Sequence, residues 1–129
     1  MTSAIDPDAI WLQMGTVGIE ATDQLAAMAA DAGIAFVDAP VSGTKQPAEQ
    51  GKLTVLASGP EELKDRLATV FGAVAARTVW VGEVGAGSRL KLVINAWLAS
   101  LLAGLAEAIA LAKGIGVDPV QFLGAIEGG

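Results

Sequence analysis

The chain has 129 residues, enough for one domain with a real core, and its 53% hydrophobic content argues against disorder. A net charge of −6 argues against nucleic acid and anionic membrane surfaces as partners. With no Cys and no His, disulfides, thiolate chemistry, Cys/His zinc sites and His proton shuttles are excluded, and any proton chemistry falls to Lys or a carboxylate.

Residues 1–8 read as an unanchored start, with no basic-then-apolar leader, and we expect a cytoplasmic protein. Residues 9–14 read as a strand and 15–18 as a loop. Residues 20–32 read as a helix closed by Gly33, and 34–37 as a second strand followed by a loop over 38–44. Strand, helix, strand in that order implies a βαβ unit with parallel strands. A short helix is expected over 46–50, a third strand over 53–57, and a helix over 61–71 with Pro60 in its first turn. A fourth strand is expected over 77–81.

The stretch from Gly85 to Gly114 then reads as about seven turns of helix. Gly87 and Ser88 suit its start and Gly114 its end. It is apolar almost all the way round, the mark of a helix buried on most sides. A membrane span over 92–112 is long enough, but Glu107 and Asn95 interrupt it and Ala and Gly dilute its hydropathy, so a core helix is preferred. Asp118-Pro119 reads as an N-cap with Pro at the first position of a last helix running to about Ile126.

Lys91 and Asn95 share a face of the long helix, with Ser88 three residues before Lys91. By spacing alone Lys91 reads either as a lysine that snorkels to solvent or as one with a task. Likewise Asp38-Ala39-Pro40-Val41-Ser42-Gly43 reads either as a plain Pro/Gly turn or as a carboxylate cradle, in which a hydroxyl and a closely approaching amide meet the ligand at a strand end.

Taken together, Asp38-Ala39-Pro40-Val41-Ser42-Gly43, then Gly51-Lys52-Leu53-Thr54, then Gly85-x-Gly87-x-x-x-Lys91-x-x-x-Asn95 resemble the β-hydroxyacid dehydrogenase family over about Ile10 to the last residue. That resemblance implies an α/β fold: a partial Rossmann-like domain with a parallel or mixed sheet over 1–84, then a long interdomain helix and a truncated helical domain over 85–129. It implies an NAD(P)-dependent oxidoreductase, or a fragment of one, acting on a small hydroxy acid or semialdehyde. Lys91 would be the catalytic acid or base. Ser42 and Gly43 would hold the substrate carboxylate, Asn95 would bind substrate, and Thr16 would approach the nicotinamide.

Thr44, Gly15 and Ala96 depart from the family's usual Gly, Ser and Asn. The chain carries no Gly-x-Gly-x-x-Gly turn for a pyrophosphate, so weak or absent binding of NAD or NADP is expected, and the chain reads as the middle of a dehydrogenase. The competing reading is a non-enzymatic oligomerising or carboxylate-binding module. In either case a homodimer through the long helix is expected, with no metal, nucleic acid or membrane partner.

Overall fold

The computed structural model describes residues 6–128; residues 1–5 of the expected unanchored start, and Gly129, lie outside the described residues. Five strands and five α-helices follow one another as β1 (Ile10–Gln13), α1 (Ile19–Asp31), β2 (Ala35–Asp38), β3 (Val41–Ser42), α2 (Lys45–Glu49), β4 (Leu53–Ser58), α3 (Lys64–Val74), β5 (Ala75–Gly82), α4 (Ala86–Gly114) and α5 (Pro119–Ile126). Contacts divide the chain into two compact units, Met1–Val93 and Ile94–Gly129.

The first unit is a mixed sheet with helices on it, the partial Rossmann-like arrangement expected. β1 and β2 pair in parallel across α1, as do β4 and β5 across α3. Alternation along the strands divides the apolar residues between the two faces. Ile10, Leu12 and Val37 pack with Val55, Ala57, Leu67 and Phe71 on the α3 side. Trp11 and Phe36, register partners with ring centroids 5.4 Å apart in an edge arrangement, pack with Ala29 and Leu25 of α1.

Three expectations need correction. The loop expected over 38–44 contains a strand: Val41 and Ser42 pair antiparallel with Val55 and Thr54, while Asp38 ends β2 and pairs with Ser58. Pairing with a distant strand overrides the local Pro/Gly turn signal. The helix expected over 61–71 opens as a 3-10 turn, Glu61–Leu63, with Pro60 at its N-cap, and its α-helical part runs on to Val74. Gly114 does not close α4. Gly116 does, at φ 80°, where its amide donates to the Lys113 carbonyl and the Val117 amide reaches back to the Ala112 carbonyl at 2.8 Å. That left-handed position favours a residue without a Cβ.

In the second unit the Asp118 carboxylate accepts from the Val120 amide at 2.9 Å and Pro119 opens α5, as its cap signature predicts. The continuation of α4 departs from expectation in its burial. Trp97 is 61% and Leu102 69% exposed, and Leu101 and Leu111 are exposed with them. By length and composition α4 would also cross a bilayer.

Candidate functional site

The two segments singled out in the sequence meet through a buried polar cluster in the first unit. Asp38, at the end of β2, is fully buried. Its Oδ2 accepts from the Ser88 amide and its Oδ1 from the Ser88 hydroxyl, both at 2.7 Å. These are short, charge-assisted bonds, and they make Asp38 the acceptor for the first turn of α4. Positive charge at a helix N-terminus offsets part of the cost of burying the carboxylate.

Ser58, at the end of β4, bridges the same elements. Its hydroxyl accepts from the Gly87 amide at 2.9 Å and donates to the Asp38 carbonyl at 3.2 Å. Gly87 permits this contact: a Cβ there would lie 2.2 Å from the Leu56 carbonyl oxygen and 3.1 Å from that of Asp38. The Leu56 amide in turn donates to the Pro40 carbonyl at 2.9 Å, two residues before Ser42.

α1 fastens the other side of the same turn. The Thr22 hydroxyl donates to the Gly18 carbonyl at 2.7 Å and lies 3.3 Å from the Ser88 hydroxyl. Arg89 pairs with Asp23, Nη2 to Oδ2 at 3.0 Å, and also donates to the Gly85 carbonyl. The hydrogen bond and charge of Asp23 hold the Arg89 guanidinium above its ordinary pKa, and Asp38 adds in the same direction. Among the described residues, no buried side-chain nitrogen or oxygen lacks a partner.

The expected site residues fall at separate places in the fold. Lys91 is half-buried on α4, four residues after Gly87 and three after Ser88, so it lies on the helix face that meets β2 and β4. Ser42 is half-buried on β3 opposite Thr54, and Gly43 follows it, exposed, at φ 139°. Thr16 is exposed in the loop between β1 and α1. Asn95 is exposed and belongs to the second unit. A concavity of about 610 Å³ among the described residues is lined by Gly59, Pro60, Lys64, Trp80 and Glu83 among others and by none of these residues.

Sequence reasoning missed Asp38, Ser58 and Thr22 as buried polar groups. Asp38 and Ser58 lie in or within two residues of a motif or turn already noted, and Thr22 lies in the expected helix, but a partner 29 to 66 residues away leaves no local signal.

Residues 1–82 match the family described as the NAD binding domain of 6-phosphogluconate dehydrogenase. The chain belongs to the β-hydroxyacid dehydrogenase family. It is 35% identical over 109 residues to glyoxylate/succinic semialdehyde reductase 2 of Arabidopsis thaliana, covering 84% of this chain and 30% of that protein. It is also 35% identical, over 117 residues, to 2-(hydroxymethyl)glutarate dehydrogenase of Eubacterium barkeri, covering 91% of this chain and 39% of that protein. Among solved structures, 3-hydroxyisobutyrate dehydrogenase of Mycobacterium tuberculosis with L-serine superposes with a TM-score of 0.89 at 27% identity, over 99% of this chain and 44% of that one. The chain thus spans less than half the length of these relatives.

Among the described residues, the starts of α1, α3 and α4 are poor cradles for the pyrophosphate of the family's cofactor. α1 carries Glu20 in its first turn, and Glu61, Glu62 and Asp65 crowd the start of the 3-10 turn and α3. At α4 the Gly87 and Ser88 amides are already taken by Ser58 and Asp38.

Proposed function

We propose that this chain carries the substrate-handling part of an NAD(P)-dependent oxidoreductase acting on a small hydroxy acid or its semialdehyde, in the cytoplasm. NAD(P), when bound, supplies the hydride chemistry. Lys91 exchanges a proton with the substrate hydroxyl or carbonyl oxygen. The Ser42 hydroxyl and the Gly43 amide receive the carboxylate, Asn95 binds the substrate, and Thr16 lies toward the nicotinamide.

The observation that carries this reading is the bidentate Asp38–Ser88 contact. It joins the strand end leading into Ser42 to the helix turn leading into Lys91, so two motifs far apart in the sequence converge. Where hydride transfer is measured, Lys91→Ala is expected to lower kcat at least about 100-fold, the usual scale of general acid–base catalysis. Undiminished turnover in that variant rejects the assignment.

Cofactor affinity of the chain by itself is expected to be weak, because the starts of α1, α3 and α4 carry acidic groups or occupied amides. Calorimetric titration with NADH and NADPH tests this, and a dissociation constant on the order of a micromolar contradicts it. We further read α4 as a surface covered by protein rather than lipid, since the likeness to the M. tuberculosis enzyme extends over 99% of the chain. A second copy is the simplest cover. Sedimentation should show a dimer at micromolar concentration, and a stable species at 13.0 kDa refutes that.

A further inference from the structure

We propose that Asp38 is a positioning residue: its carboxylate fixes the rotation of the first turn of α4, and so the direction in which Lys91 leaves the helix relative to the strand end that leads into Ser42. The link to chemistry rests on the role proposed for Lys91; the geometry does not.

An ordinary N-cap satisfies one orphan amide with a side chain from the residue that begins the same helix. Here the two carboxylate oxygens take the amide and the hydroxyl of the same residue, each at 2.7 Å. A two-point attachment to one residue resists rotation. The preceding residue is held as well, through the Gly87 amide to the Ser58 hydroxyl, which itself donates to the Asp38 carbonyl. Gly87 also lies flat against the Leu56 carbonyl. Residues 87 and 88 are therefore fixed in azimuth by β2 and β4, and Lys91 follows on the same face within one turn.

The identity of the residue matters as much as its place. A carboxylate is acceptor-only and takes two donors at once; in Asp38→Asn an NH₂ replaces one oxygen, and the Ser88 hydroxyl, which can also accept, must turn round to meet it. That change preserves volume and exchanges a charge-assisted bond for a weaker neutral one. Ser88→Ala is the diagnostic change, because it removes the second attachment outright.

The test uses the isotopically labelled chain in solution, with residual dipolar couplings for amides 86–93 and for the strand amides of β4. Ser88→Ala, and more mildly Asp38→Asn, should reorient the α4 amides relative to β4, and Ser88→Ala should speed exchange at the residue-88 amide by at least about tenfold, the scale of one lost buried hydrogen bond. Phe71→Leu, in the core on the α3 side, serves as a control of matched stability and should leave those couplings unchanged. Ser88→Ala deletes one hydroxyl and keeps the amide bond, so it answers the question even if Asp38→Asn does not fold.

L-serine serves as the ligand probe. Its affinity should fall at least about tenfold in Ser88→Ala and not in the Phe71→Leu control, a difference that lost stability alone does not produce. Couplings at 86–93 that match the unmodified chain in both network variants overturn the proposal. Unchanged L-serine affinity beside altered couplings overturns the connection to the site. If the unmodified chain takes up no L-serine at all, the substrate reading falls, and the couplings still decide whether Asp38 positions the helix.

Discussion

Gly87→Ala should lower the stability of the chain by about 3 kcal/mol or more, at the upper end of what overpacking costs. Elsewhere in a helix the same change would help, because Ala is the better helix former by about 1 kcal/mol. Here the new Cβ would stand 2.2 Å from the Leu56 carbonyl oxygen, which belongs to the backbone of β4 and cannot turn aside as a side chain would. Relief requires α4 to lift from the sheet. That lengthens the Gly87 amide bond to Ser58 and the Ser88 bonds to Asp38 together. For a domain of this size the loss corresponds to a fall in Tm of about 10 °C, measurable by calorimetry. As a comparison, Gly72→Ala, on α3 with open space around its Cβ position, should be neutral or mildly stabilising. Equal Tm values for the two variants would show that the close approach at Gly87 is not a constraint.

Asp38→Ala is the second large effect, about 3–4 kcal/mol, built from donors left without acceptors in a dry site. The Ser88 amide and hydroxyl both lose their partner, and Asp38 is completely buried, so water does not replace the carboxylate freely. Removal of the cap would also leave the start of α4 unsatisfied. Denaturant unfolding followed by circular dichroism gives the number. A loss under about 1 kcal/mol, the size of an ordinary surface substitution, would mean that the network contributes little.

The parts of the fold that were legible in the sequence are those whose cause is local. The apolar run around Ile10, Trp11 and Leu12 marks a short strand, and the structure sends Trp11 to one core and its neighbours to the other. Asp118-Pro119 is a cap that needs no knowledge of the rest of the chain. Ser42 was read as loop because its pairing partner, Thr54, lies on another strand. Gly87 and Ser88 were read as helix openers on propensity, which placed them correctly without showing what they touch. The strongest interactions at that turn come from Asp38 and Ser58, and no periodicity or cap rule joins residues 50 or 29 apart. The candidate site divides in the same way. Lys91 and Asn95 stand out by their helical spacing, whereas the roles of Ser42, Gly43 and Thr16 came from the family resemblance rather than from the residues themselves.

The distance in sequence between the two sides of the α4 anchorage has a kinetic consequence. β1, α1 and β2 are consecutive, as are β4, α3 and β5, so each pair of parallel strands closes over one intervening helix. Fastening Ser88 to Asp38 and Thr22 closes separations of 50 and 66 residues, at a larger chain-entropy cost and for a few hydrogen bonds. Docking of the α4 start is therefore expected to follow formation of the two strand–helix–strand segments. In a chevron, Asp38→Ala should mainly steepen the rate of unfolding and leave the folding arm nearly in place, as befits contacts absent from the transition state. The cluster that holds the start of α4 would then act as the latch that sets how long the native arrangement lasts, with little say in how quickly it is reached.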